Sequence, residues 1–182
     1  MLNGSPQTTR EDKLASLSMY QASIPVFRQK LDCLATLLKK AEAHAAEKKI
    51  DPSVLLQARL FPDMFPLVKQ VQIAADTAKG GAANLAGIEA PRFEDVEVTF
   101  PELSDRIQRT QRYLDQFRPE QIDGAEDKDI NLVLGGHQVG FKGRQYLLGF
   151  VTPNFYFHLT TAYAILRHSG VEVGKRDFLG AF

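Results

Sequence analysis

At 182 residues and 44% hydrophobic side chains, the chain can bury a sizeable core and fits one domain. Its 22 basic and 22 acidic residues cancel, so no whole-molecule field draws it to nucleic acid or to an anionic membrane, and any partner must be recognised locally. The single cysteine, Cys33, excludes an internal disulfide and suits a reducing compartment. No apolar run reaches the roughly 18 residues of a spanning helix and no basic-then-apolar leader opens the chain, so a soluble, cytoplasmic protein is expected.

The opening MLNGSPQTTREDK is polar and broken by Gly4 and Pro6, which predicts a flexible lead-in over 1–13 before a single domain over 14–182. Structure is expected from Leu14. Tyr20, Ile24, Phe27, Leu31, Leu34, Leu38 and Ala41 recur at spacings of four and three, the apolar stripe of a long helix ending near Lys48. Pro25 either marks a helix start near Ser23 or kinks the first turns. Asp51-Pro52 has the chemistry of a cap and a first-turn proline, predicting a short helix to about Ala58. A second long helix follows, with Pro66 in its first turn, Asp63 as the expected cap, Leu67, Val71, Ala74, Ala78 and Leu85 on one face, and an end at Gly87. Thr99 and Glu102 have capping-box spacing around Pro101, and Leu103, Ile107, Thr110, Leu114 and Phe117 mark the third helix.

Beyond it, Ile130, Leu132 and Leu134 alternate before GGHQVGFKG, which predicts a small hairpin or an ordered loop. Thr152-Pro153 reads as the start of the last helix, which ends before Gly170 with Arg167 and His168 in its final turn. The tail VEVGKRDFLGAF is expected to wrap back over the helices. The expected fold is therefore an all-α four-helix bundle, with a short extra helix after the first and the hairpin or loop between the third and fourth.

His158 is the residue of most chemical interest. On a helix it shares a face with Asn154, Thr161, Ala162 and Ile165, while Phe155, Leu159 and Leu166 line the adjacent side, an arrangement that suggests a lined cavity. Histidines at i and i+4 grip a transition metal from one face, but position 154 is an asparagine, a weak and uncharged donor, so the pair is half a metal site. The bland reading is a hydrogen-bonded core histidine. His44, His137 and His168 read as surface residues. Gln70 and Asp76 are polar positions in an apolar helix without a capping role; Gln70 either faces solvent or points inward, where the groups of Asn154 and His158 would suit its amide. GGHQVGFKG lacks the spacing of a phosphate-binding loop, no nucleophile elbow is present, and Cys33 reads as a small core residue.

The runs LFPDMFPLVKQVQIAADTAKGGAANLAG, TFPELSDRIQRTQRYL and PNFYFHLTTAYAILRHSGVEVGKRDFLG resemble a bacterial family catalogued as domain of unknown function nineteen ninety-three, placed with the DinB-like, or YfiT-like, four-helix bundles. The likeness spans about residues 18 to 180. The wider superfamily implies three histidines at one end of the bundle, one on the second helix and an HxxxH pair on the last, holding zinc or nickel that activates a thiol cofactor in transferases and isomerases. Counting back from Leu166, Arg167 and Gly170, His158 takes the place of the second histidine of that pair and Asn154 the place of the first. Gln70 or a neighbour stands where the second-helix histidine would be.

Three readings follow. In the first, a degenerate metal site has left a bundle-end pocket in which Gln70, Asn154, His158 and Tyr163 bind a small organic molecule, with no metal or with His158 as its only ligand. In the second, His158 is catalytic, as a general base or as the surviving ligand of a zinc- or nickel-dependent transferase or isomerase. In the third, the polar seam sets helix register or a homodimer contact, with Phe61, Phe65, Phe178 and Phe182 supplying an apolar patch.

Overall fold

The computed structural model describes residues 17–181; the lead-in expected over 1–13, the start at Leu14, and Phe182 lie outside the described residues. The chain is mostly helical. Four long helices, α1 (Ile24–Lys48), α3 (Leu67–Ala86), α4 (Phe100–Leu114) and α7 (Thr152–His168), pack against one another, with short helices α2 (Pro52–Leu56) and α5 (Pro119–Ile122) in the connections. A hairpin of β1 (Asp129–Leu134) and β2 (His137–Lys142) precedes a helical turn, α6 (Gly143–Gln145), and a π-helical segment, Tyr146–Val151, that runs directly into α7. Helix α8 (Lys175–Leu179) closes the described chain against α1.

Each boundary has a local cause. Pro25 lies in the first turn of α1, where its missing N–H costs nothing, so the helix starts at Ile24 instead of kinking. Asp51 caps α2 by accepting from the Ser53 amide at 2.9 Å. Thr99 and Glu102 form the reciprocal capping box of α4. Gly87, at φ 75°, ends α3 in the left-handed conformation that glycine adopts without penalty. The hairpin turns through Gly135 and Gly136, both at positive φ, which matches a two-residue turn joining twisted antiparallel strands.

Three expectations need correction. Asp63 does not cap α3; it lies exposed in a turn, and Pro66 occupies the cap position with an extended backbone. The helix therefore begins at Leu67, and the Pro66 carbonyl accepts from the Lys69 and Gln70 amides. Thr152 is the first residue of α7, as expected, but it does not cap the helix, because helical backbone already runs from Gly143. Pro153 has no N–H to offer the Gly149 carbonyl, and the ladder ahead of it slips: the Thr152 amide bonds the Leu147 carbonyl, five residues back. Phe178 is not part of an exposed patch, since it is half-buried against Tyr163, at 5.8 Å between ring centroids. Phe61 and Phe65 are exposed.

Helix directions follow from cross-helix contacts. Arg28 of α1 pairs with Asp115 just beyond α4, and Gln111 donates to Asp32, so α1 and α4 are antiparallel. The strap 88–99 runs back along α3, setting Phe93 beside Lys79, Glu97 beside Gln72 and Asp95 beside Lys69. As a result α4 begins near the start of α3 and runs parallel to it, a relation that a short loop could not provide. Helix α7 lies antiparallel to α3. The core between them joins Phe27, Leu34 and Leu38 of α1 to Val71, Ala74 and Ala78 of α3, Leu103 and Ile107 of α4, and Phe155, Leu159 and Leu166 of α7, all buried.

Helix α3 meets the segment ahead of α7 closely at Gly81. A Cβ built there would lie 2.6 Å from Val151 Cγ1, whereas one at Gly80 would meet nothing within 4 Å. Gly81→Ala is expected to lose about 1–3 kcal/mol through overpacking, and Gly80→Ala to gain roughly 0.5–1 kcal/mol from reduced backbone entropy in the unfolded chain and better helix propensity. Urea denaturation of both variants checks this; a Gly81→Ala protein as stable as the parent would contradict the packing described.

Candidate functional site

The antiparallel α3–α7 seam carries three polar rungs. Gln70, Thr77 and Asn84 are seven residues apart on α3, a spacing that keeps them on one face. His158 bonds Gln70 at 2.7 Å, Asn154 Nδ2 donates to Thr77 Oγ1 at 2.9 Å, and Asn84 Nδ2 donates to Tyr146 Oη at 2.7 Å. Gln70 thus points inward, buried at 2% exposure.

The His158 tautomer can be read from this geometry. Gln70 Nε2 donates to the Phe65 carbonyl at 3.0 Å, and a carbonyl can only accept, so Gln70 Oε1 is the atom facing the imidazole. His158 Nδ1 must therefore carry the proton and donate to Oε1. Nε2 keeps its lone pair and has no protein partner among the described residues. Burial pushes the imidazole pKa below its ordinary value, so the ring is neutral near pH 7. Its ring centroid lies 5.2 Å from that of Phe157, with the two planes nearly perpendicular, and Phe157 is exposed.

The predicted site residues separate here. Gln70 and His158 meet directly, whereas Asn154 lies one turn away and borders a cleft of about 210 Å³ with Asp76, Thr77, Gly80, Tyr146 and Phe150. Tyr163 packs on Phe178 and joins neither group. His137 and His168 are exposed, while His44, in the last turns of α1, is half-buried rather than fully solvent-facing.

These positions do not suit the metal centre that the superfamily implies. Two amides and one imidazole are a poor donor set for zinc or nickel, and the amide oxygen of Gln70 is already committed to the imidazole. Among the described residues no three His, Cys, Asp or Glu side chains converge to hold a metal ion.

A second polar centre adjoins the cleft through Asp76. Arg106 of α4 is fully buried: Nη1 donates to Glu97 at 2.9 and 3.1 Å and to the Glu94 carbonyl at 3.0 Å, while Nη2 meets Asp76 at 2.7 Å and Asp95 at 2.9 Å. Gln72 also donates to Glu97 Oε2, Lys69 pairs with Asp95, and Lys79 Nζ makes an ion-pair contact with Asp76 Oδ1 at 2.8 Å that is not aligned as a hydrogen bond. Burial lowers the Arg106 pKa, but the hydrogen bond to Glu97 and the charges of Asp76, Glu97 and Asp95 outweigh it and hold the pKa above its ordinary value. Asp95 is likewise held below the usual carboxylate range: its bond to Lys69 and the Arg106 charge overcome the burial that would raise it. This centre was missed in the sequence reading. Its signal was Arg106 itself, three residues after Leu103 and four before Thr110, on the stripe assigned to the core.

The family model described as a domain of unknown function, DUF1993, matches residues 19–179. This chain belongs to that family. Its fold is DinB-like: a crystal structure of a DinB family member from Shewanella denitrificans is 43% identical, at a TM-score of 0.81, covering 90% of this chain and 92% of that one. No curated protein matches the chain. Among the described residues of this DUF1993 protein, no helix is long and apolar enough to cross a membrane.

Two outcomes follow from the DUF1993 site. Because the folded pKa of His158 lies below that of the unfolded chain, the unfolded state binds the extra proton, and stability is lost as pH falls from about 6.5 toward the folded value. Calorimetry should show a larger drop in Tm between pH 7.5 and 5.5 for the parent than for His158→Gln; equal drops would exclude a buried neutral imidazole. Arg106→Met should cost roughly 3–5 kcal/mol in chemical denaturation, because Glu97 is left buried without its cation.

Proposed function

We propose that this DUF1993 protein is a cytoplasmic four-helix bundle with a degenerate metal site, which binds a small organic molecule at the α3–α7 face without a transition metal. The observation that carries the reading is the Gln70–His158 bond, which occupies the amide oxygen in a hydrogen bond and leaves His158 as a neutral acceptor with Nε2 free. Asn154, whose Nδ2 is committed to Thr77, and Asp76, which is partly exposed, add acceptor oxygens at the neighbouring cleft. The walls contributed by Tyr146, Phe150 and Val151 are apolar. A ligand that matches has N–H or O–H donors on a compact apolar body.

A second reading makes His158 a general base of a transferase or isomerase. It is favoured by the fixed Nδ1–H tautomer, since a neutral imidazole with its second nitrogen free can accept a proton from a bound thiol or carbon acid.

Elemental analysis of protein purified without chelator, together with a thermal-shift screen of small amines, amides and alcohols against the parent and Asn154→Leu, tests the proposal. The expected result is trace zinc and nickel, and stabilising compounds whose effect shrinks in the variant. Near-stoichiometric metal that is lost in His158→Ala would overturn it in favour of metal-dependent chemistry.

A further inference from the structure

A separate concavity of about 800 Å³ lies between the strap and the outer face of α4, lined in part by Glu89, Arg92, Phe93, Arg109, Arg112 and Tyr113. It shares no lining residue with the α3–α7 cleft. Its size is within the range of about 300–1,000 Å³ common to small-molecule sites. In a molecule with equal numbers of acidic and basic residues, this groove gathers three guanidinium groups against the one carboxylate of Glu89.

The arginines differ in how they are satisfied. One turn earlier, Arg106 takes Asp76, Asp95 and Glu97. Among the described residues neither Arg92 nor Arg109 has a carboxylate within ion-pair distance, and Arg112 reaches only Asp105, at 3.9 Å, with both side chains exposed. Arg109 is nevertheless held in place: its guanidinium carbon lies 4.1 Å from the centroid of the Phe93 ring, and that ring also carries the buried Lys79 ammonium at 3.9 Å. A planar guanidinium parked on an aromatic face keeps its edge donors free and loses less side-chain entropy on binding an anion. Two arginines without carboxylate partners on one groove wall are an arrangement completed by anionic oxygen acceptors.

We propose that this groove binds a small organic polyanion, of two or three carboxylate or phosphate charges, through Arg92, Arg109 and Arg112. A long polyanion such as nucleic acid fits less well, because Glu89 lies within the groove and the balanced total charge provides no extended attractive field.

Isothermal titration at low ionic strength with citrate and pyrophosphate as probes, and acetate as the monoanion control, tests this. One-to-one binding of at least one polyanion is expected, with acetate much weaker. Arg109→Gln and Arg112→Gln should each weaken it by about tenfold, the scale of one charge-assisted hydrogen bond. Arg112 is not among the cations stacked on Phe93, which are Lys79, Arg106 and Arg109, so its variant keeps that stack and circular dichroism should be unchanged. Arg144→Gln removes the same charge outside the groove and should bind as the parent does. The proposal is overturned if neither polyanion gives saturable heat at millimolar concentration, if Arg109→Gln and Arg112→Gln bind as the parent does, or if Arg144→Gln loses as much affinity as they do.

Discussion

Wherever polar side chains enter the seam between α3 and α7, or between α3 and the segment just ahead of α7, they must bond across it. A buried amide or imidazole without a partner costs roughly 1–3 kcal/mol, so the rungs Gln70–His158, Thr77–Asn154 and Asn84–Tyr146 can pair correctly only in one register. The same requirement fixes the imidazole tautomer. A sliding of α7 by one turn would bring Asn154 or Ala162 opposite Gln70 and remove the acceptor arrangement on which either functional reading rests.

The π-helical segment belongs to this constraint. By slipping the backbone ladder ahead of Pro153, it carries Tyr146 and Phe150 to the lower part of the seam, where Tyr146 meets Asn84 and Val151 fills the space above Gly81. Irregular helical turns of this kind are frequent at functional sites, and here the irregularity forms one wall of the Asn154 cleft. On the other face of α3, Arg106 binds the strap through Asp95 and Glu97 and α3 itself through Asp76. Its three carboxylates are balanced by Arg106, Lys69 and Lys79, which lets so much charge sit beside the core.

Much of the architecture was legible along the chain because its causes are local. Apolar residues at intervals of three and four, the Thr99–Glu102 box, Asp51 before Pro52, the glycine at 87 and the Gly135-Gly136 turn act within a few residues of where they stand, so the helices and the hairpin could be read from them. The missing caps at Asp63 and Thr152 share one cause: a proline can stand at a cap or inside a helical stretch, and which of the two it does depends on what the adjoining backbone bonds. For the site, the inward turn of Gln70 toward His158 was one of two open choices. Tyr163 was expected to line the pocket, and its contact with Phe178 depends on how the tail returns over the helices.

By itself the sequence determined the helical class, the main element boundaries, the neutral surface balance and the presence of a lone imidazole among apolar residues, since each is a property of residue type and short-range spacing. Only the tertiary structure decided that α4 runs parallel to α3, that Arg106 is enclosed by carboxylates 9 to 30 residues away, and that His158 offers Nε2 while Gln70 holds Nδ1. Those outcomes depend on partners brought together across the chain, where the energy of a buried charge or amide is set by the atoms that surround it and not by its place in the sequence.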